Sequence, residues 1–227
     1  MGFRIVEKEK LGNNVYSFWV EAPRIVKKRS PGQFIILRPH EESERIPLTI
    51  AGVRPEQGML RLIAQIVGKT TMDLAEMNIG DEIRDLAGPL GHPTPIENYG
   101  TVACIGGGIG NAPILPIAAA LKEAGNRVVT ITGARTKELM ILEDDLRAVS
   151  DEFLVATDDG SYGTHGFVTD VLKDRVQGEP AIDFAVSIGP VPMMKAVAAV
   201  TREAGIPTIA SLNTIMIDGT GMCGGCR

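Results

Sequence analysis

Four short stretches carry residue types that meet phosphates or soft metals. Cys104-Ile105-Gly106-Gly107-Gly108-Ile109-Gly110-Asn111-Ala112-Pro113 leaves a run of strand character and enters one of helical character. Glycines let a backbone approach a pyrophosphate, and a helix N-terminus offers free N–H groups with a dipole that favours an anion by ~0.3–1 kcal/mol. The spelling departs from G-x-G-x-x-G, because Asn111 stands where the last glycine would be. A glycine-rich turn that serves only helix–strand packing is the competing reading. In the first half, Arg45-Ile46-Pro47-Leu48-Thr49 sets a cation and a hydroxyl at the two ends of an extended segment. Such a cation binds phosphate through charge-assisted hydrogen bonds, although an ordinary edge strand would read the same way. Gly68-Lys69-Thr70-Thr71 opens a helical stretch and repeats the anion logic of a helix start.

The fourth stretch is Asp218-Gly219-Thr220-Gly221-Met222-Cys223-Gly224-Gly225-Cys226-Arg227. A C-x-x-C loop among glycines is a metal or redox motif, since thiolates bind soft ions and glycines aim N–H groups at sulfur. A thioredoxin-like dithiol wants a helix after the pair, and zinc wants four ligands where Cys223, Cys226 and Asp218 supply three. An uncoordinated tail is the remaining reading. Cys104 falls inside an apolar strand and reads as a buried structural residue. His40, His92 and His165 read as surface or loop histidines.

These motifs need two different frames to hold them. Over the first ~95 residues, alternation and β-branched content predict strands at Phe3–Leu11, Val15–Glu21, Gln33–Arg38, Pro47–Val53, Met59–Val67 and Glu82–Leu86, with one helix at Thr70–Met77. Six short strands at close spacing predict a small antiparallel barrel. From Thr101 the rhythm becomes strand, turn, helix: Val102–Ile105 then Ala112–Ala124, Val128–Thr132 then Leu139–Val149, Phe153–Thr157 then Phe167–Lys173. It continues with Phe184–Ile188, Pro192–Ala204 and a closing strand at Pro207–Leu212. Five apolar strands alternating with helices predict a parallel sheet covered on both faces. The expected division is a barrel over 1–97, an α/β domain over 98–212 and a cysteine segment over 213–227.

Ligands of such a parallel sheet lie beyond the carboxyl ends of its strands, and Gly133-Ala134-Arg135, Thr157-Asp158-Asp159-Gly160 and Gly189-Pro190-Val191-Pro192 mark those ends. Arg135, with Lys137, stands where a ribose-binding acid is common. A nucleotide 2′-phosphate and a simple solvated charge both stay open for it.

Composition limits the function classes. A formal net charge of −5, from 23 basic and 28 acidic residues, argues against a nucleic-acid binder, which needs concentrated positive charge. Three cysteines are too few for a secreted disulfide framework, so a reducing, cytoplasmic setting is expected. The opening MGFRIVEKEK does not run into an apolar stretch, so no signal peptide is expected. Asn98 to Leu121 lacks charge, but three consecutive glycines, Asn111, Pro113 and Pro116 break it, and no membrane span is expected.

Taken together, Arg45–Thr49, Gly68–Thr71, Gly88-Pro89-Leu90-Gly91, the Gly106–Pro113 loop, Gly189-Pro190 with Met193-Met194 and the terminal C-x-x-C resemble the ferredoxin–NADP reductase superfamily over almost the whole chain. More narrowly, they resemble its electron-transfer subunits that carry FAD and a 2Fe-2S cluster. Two branches stay open: the small subunit of NADH-dependent ferredoxin:NADP oxidoreductase, also called sulfide dehydrogenase beta subunit, and the electron-transfer subunit of dihydroorotate dehydrogenase.

The resemblance implies that Arg45 meets the FAD pyrophosphate, that Thr49 lies near the isoalloxazine, and that Leu48, Ile63, Gln65 and Gly88 belong to the flavin-binding set. Pro47 falls on the same motif where many superfamily members carry a stacking tyrosine, so ring stacking from that position is not expected. Gly68, Thr70 and Thr71 match a second phosphate loop. Gly106, Gly107, Gly108, Gly110, Asn111, Ala112 and Pro113 match the loop for NAD(H) or NADP(H), Gly189 and Pro190 the turn near the nicotinamide, and Arg135 and Asp158 join that set. Arg135 belongs to the family's own Gly-Ala-Arg stretch, which tilts the choice to NAD(H).

For the cluster the resemblance implies Asp218, Cys223 and Cys226. An aspartate five residues before the first cysteine resembles the oxidoreductase branch, where it joins three cysteines; the dihydroorotate branch uses four. In both the chain runs on to a further cysteine, so the sequence looks truncated and its ligand set incomplete. The implied activity moves electrons between NAD(P)H, FAD and the cluster to a larger catalytic flavin/iron–sulfur subunit, in a heterodimer or heterotetramer, with ferredoxin as a further partner. A non-redox nucleotide-binding module that kept the fold is the alternative.

Overall fold

A computed structural model describes residues 2–219 and 221–226. The chain divides into two compact units, one made of residues 1–94 with 213–227 and the other of 95–212. The division falls between Thr94 and Pro95, in the proline-bearing stretch, and the cysteine segment groups with the first unit.

The first unit is built on β1 (Phe3–Gly12), β2 (Val15–Glu21), β3 (Phe34–Arg38), β4 (Ile46–Arg54), β5 (Met59–Gln65), β6 (Glu82–Ile83) and β7 (Asp85–Leu90), with helices α1 (Pro23–Val26) and α2 (Lys69–Glu76). All pairings are antiparallel, in the order β6-β1-β2-β5-β4-β3-β7. The two edge strands are separated in sequence by Arg84 alone, so the sheet curls until its edges nearly meet. This corrects the count of six strands: Glu82–Leu86 is expected as one strand, but its first part pairs with β1 and its second with β3, and the change falls where Arg84 and Asp85 interrupt the alternation. Barrel closure sends the chain from one edge of the sheet to the other at that break. Ile5, Phe18, Ile35, Leu37, Ile50, Leu60, Leu62 and Leu74 fill the interior.

The second unit runs β8 (Thr101–Gly107), α3 (Asn111–Glu123), β9 (Arg127–Ala134), α4 (Glu143–Ala148), β10 (Glu152–Thr157), β11 (Thr164–His165), α5 (Val168–Val176), β12 (Phe184–Ile188), α6 (Val191–Glu203) and β13 (Thr208–Ala210). The strands are parallel in the order β11-β10-β9-β8-β12-β13. The sixth strand, β11, has two residues and no alternation to announce it. The helix expected over Leu139–Val149 starts later: Leu142 takes φ +61°, and the acidic run Glu143-Asp144-Asp145 then forms the first turn, where the helix dipole favours negative charge. The chain fills β8, β9, β10 and β11 in one direction and returns to the other side of β8 for β12, so the order reverses between the ends of β8 and β12. Crevices at such reversals are where open α/β sheets bind ligands.

Asn126 fixes the entry to this unit. It is 3% exposed; its Oδ1 accepts from Tyr99 N (2.7 Å) and Gly100 N (3.2 Å), while its Nδ2 donates to Glu97 O and Leu121 O (both 2.8 Å). Tyr99 also stacks on Phe184 with ring centroids 4.1 Å apart. Asn126→Ala strands buried polar groups and should lower unfolding free energy by about 2–3 kcal/mol in denaturant titration; Asn126→Asp, which keeps the acceptor but turns a carboxylate oxygen toward the Glu97 and Leu121 carbonyls, should lose at least as much.

Candidate functional site

On β4 the side chains alternate. Ile46, Leu48 and Ile50 belong to or pack against the barrel interior, so Pro47 and Thr49 take the outer face. The register sets Ile36 opposite Pro47 and Phe34 opposite Thr49. Leu48 therefore spends its side chain on the core. On β5, Leu60, Leu62 and Ala64 face the interior, which turns Ile63 and Gln65 outward; Ile63 is still buried, and Gln65 is exposed. A Cβ on Gly88 would crowd Ile35 Cγ2 at 2.7 Å, so packing against β3 already demands this glycine.

Arg45 precedes β4, is exposed, and among the described residues makes no ion pair or side-chain hydrogen bond. The start of α2 lies beside it. Thr70 Oγ1 donates to Glu44 O (3.3 Å), and Ser43 Oγ donates to Asp73 Oδ2 (2.7 Å). Thr71 Oγ1 accepts from Val67 N and Gly68 N, each at 3.0 Å, and donates to Gly68 O at 2.8 Å. Helical geometry leaves the amides of the following turn without intrahelical acceptors, and the space over Gly68 is open. At the far end of α2, Lys8 Nζ donates to Ala75 O (2.6 Å) and Met77 O (2.8 Å), setting a cation on the negative end of the helix dipole.

In the α/β unit the glycines of the loop separate by role. A Cβ on Gly106 would collide with Asn111 Oδ1, one on Gly107 with Met193 Sδ, and one on Gly110 with the Ile188 carbonyl. A Cβ on Gly189 would crowd the Met193 methyl at 2.7 Å. Main chains from the ends of β8 and β12 thus approach as closely as glycine permits, at the point where strand order reverses. Gly108 has φ +55° and nothing within 4 Å, so the open side of the cradle is there. Ala112 is buried, and Pro113 is partly exposed in the first turn of α3.

Asn111 is engaged within the fold through its side chain. It is 1% exposed, its Oδ1 accepts from Thr132 Oγ1 (2.8 Å) and its Nδ2 donates to Ile141 O (3.3 Å). Its side chain ties α3 to β9. Met193, which the sequence reading left out of the site, fills the space over Gly107 and Gly189; its place three residues after Pro190 was the signal. Arg135 and Asp158 are exposed at the ends of β9 and β10. Asp158 N donates to Ala134 O (3.1 Å) and Asp159 N to Arg135 O (3.2 Å), so the two strand ends are brought together. The Ser161 hydroxyl and amide hold Asp159 below the usual carboxylate range and fix that turn. His40, His92 and His165 are exposed.

The segment before the cysteines lies on the barrel. Gly219 is buried at φ +70°, and a Cβ there would collide with Ile36 Cδ1, on the strand position opposite Pro47. Asp218 accepts from Gly221 N (3.3 Å) and Cys223 N (3.0 Å), and Cys223 Sγ accepts from Gly225 N (3.4 Å). Among the described residues no three His, Cys, Asp or Glu side chains gather to hold a metal. Asp218, Cys223 and Cys226 therefore do not form a ready three-ligand cage.

No family model matches the chain. It is 50% identical to "Dihydroorotate dehydrogenase B (NAD(+)), electron transfer subunit homolog" of Thermotoga maritima, over 98% of this chain and 78% of that protein. It is 32% identical to the dihydroorotate dehydrogenase B (NAD(+)) electron transfer subunit of Geobacillus thermodenitrificans, over 98% and 86%. A structure of NADH-dependent reduced ferredoxin-NADP oxidoreductase, solved for insight into flavin-based electron bifurcation, superposes with TM-score 0.93 at 48% identity, covering 100% of this chain and 82% of that one. The cytochrome b5 reductase domain of Ulva prolifera nitrate reductase shares the fold, with TM-score 0.74 at 20% identity over 92% and 96%.

The thiols give a direct check on this geometry. Burial pushes the Cys104 thiol up to about 12, whereas Cys223 is exposed and Cys226 partly so. With the metal-free folded chain, a thiol reagent should modify Cys223 and Cys226 and spare Cys104 at any pH well below 12, Cys104 reacting once denaturant is added.

Proposed function

Because the chain belongs to the family of dihydroorotate dehydrogenase B electron transfer subunits and their homologues, we propose that it is an electron-transfer flavoprotein subunit of ferredoxin reductase type. It takes electrons from NADH through FAD and passes them to a larger catalytic partner in the cytoplasm. The observation that carries the reading is the juxtaposition of Arg45, free of any partner among the described residues, with the N-terminal turn of α2 through the Thr70–Glu44 hydrogen bond. A guanidinium and a turn of unpaired amides form the donor set that a diphosphate requires.

When bound, FAD supplies hydride acceptance and onward electron release. The residues of this chain bind and orient. Arg45 and the amides after Gly68 hold the diphosphate, and Thr49 offers a hydroxyl on the outer face beside Pro47. The Gly106–Gly110 cradle, open at Gly108, takes the dinucleotide phosphates at the start of α3, and Gly189-Pro190 borders the nicotinamide end. Arg135 and Asp158 border the ribose end. The NAD(+) in the names of the dihydroorotate dehydrogenase B relatives supports NAD(H).

Identity is 50% to the T. maritima dihydroorotate dehydrogenase B subunit homolog and 48% to the ferredoxin-NADP oxidoreductase chain, so it does not separate the two branches; Asp218, five residues before Cys223, is the feature that supports the oxidoreductase branch and a ferredoxin-linked partner. A 2Fe-2S cluster takes four donors, and Asp218, Cys223 and Cys226 neither reach that number nor converge, so the described residues do not fit the cluster by themselves.

Loading the chain with FAD and measuring affinity tests the reading. Arg45→Ala should raise the FAD Kd by roughly 10- to 100-fold, the equivalent of about 1.5–3 kcal/mol for charge-assisted phosphate bonds. A wild-type chain that binds no FAD, or an Arg45→Ala variant that binds it equally well, would contradict it.

A further inference from the structure

We propose that Ser43 and Asp73 form a clasp that positions Arg45 for the FAD diphosphate; this rests on the flavin reading above. Ser43 sits in an irregular loop between β3 and β4 whose neighbours Glu41, Glu42, Glu44 and Arg45 are all exposed, yet it is itself 7% exposed. A hydroxyl buried in such a loop needs a fixed partner. It has one in Asp73, at 2.7 Å across thirty residues of sequence.

The direction of the contacts defines the role. Ser43 meets Asp73, and the next residue, Glu44, meets Thr70. Asp73 and Thr70 are three residues apart and therefore share one face of α2. The loop thus runs along the helix toward its N-terminal end, one turn for one residue, and Arg45 is the next step, at the end where the unpaired amides lie. The other end of the loop is held separately: Arg84 N donates to Pro39 O (3.0 Å) and Arg38 Nη1 to Glu41 O (3.2 Å).

The chemistry of Asp73 supports this role. A carboxylate one turn into a helix that receives a diphosphate works against the anion, so charge alone gives no reason for it. Accepting the Ser43 hydroxyl gives one. Arg45 has no side-chain partner of its own among the described residues, so the main chain that the clasp fixes sets where its guanidinium starts from. Ser43 and Asp73 are accordingly positioning residues, and their effect must pass through Arg45.

The test measures FAD affinity of the full chain, by quenching of flavin fluorescence, for Ser43→Ala, Asp73→Ala, Asp73→Asn, Arg45→Ala and the double variant S43A/R45A. Ser43→Ala and Asp73→Ala should each weaken binding about 5- to 10-fold, while Asp73→Asn, whose amide oxygen still accepts from Ser43, should stay within about 2-fold of wild type or bind tighter. In the Arg45→Ala background, Ser43→Ala should add less than about 2-fold. Should Ser43→Ala fail to fold, Asp73→Asn against Asp73→Ala makes the same comparison. The proposal is overturned if Ser43→Ala leaves FAD affinity unchanged, or if its full effect persists in the Arg45→Ala background. A wild-type chain that binds no FAD defeats the flavin reading itself and the clasp with it.

Discussion

An unpaired guanidinium at the amino end of a short helix is the arrangement on which the barrel unit depends. Helix α2 has eight residues, too few to be stable alone, and every part of it is tied to something else. Lys8 holds its last carbonyls, Leu74 enters the barrel core, Asp73 and Thr70 hold the loop from β3, and Thr71 closes the turn at Gly68. Leu74 buries apolar surface, the other contacts satisfy polar groups, and together they leave the first-turn amides and Arg45 as the groups without a partner among the described residues.

The α/β unit solves the same electrostatic problem by another route. It gathers amides by close approach of backbones, at the strand-order reversal between β8 and β12, and it has no room for side chains at Gly106, Gly107, Gly110 or Gly189. All four of these glycines face intramolecular neighbours closely enough that packing alone accounts for them. Gly108 is the exception, with open space over it. The glycine run thus serves two ends at once: most of it lets β8, β12 and α6 meet, and one residue leaves the cradle open.

Much of this was legible in the sequence, for physical reasons that vary by element. Apolar strands alternating with helices announced the parallel sheet, and the period-2 stretches announced the barrel, because both patterns record burial directly. The strand break at Arg84 left a trace that is easy to pass over: Arg84 and Asp85 are polar in succession, which interrupts the alternation between Ile83 and Leu86 where the pairing partner changes. The packing duties of the motif residues were not legible: Asn111 holds Thr132 and Ile141 through its two side-chain polar atoms, and Gly88 makes room for Ile35. Ser43 and Asp73 carried no signal at all. Their bond joins residues thirty positions apart, and nothing in either local sequence points to the other.

Under the proposed function, this chain carries electrons from a nicotinamide to a flavin held by the barrel. The most direct measurement is an anaerobic titration of the FAD-loaded chain with NADH, following flavin absorbance. Bleaching that completes near one NADH per flavin is the predicted result. A bound flavin that stays oxidised under excess NADH would contradict the claim.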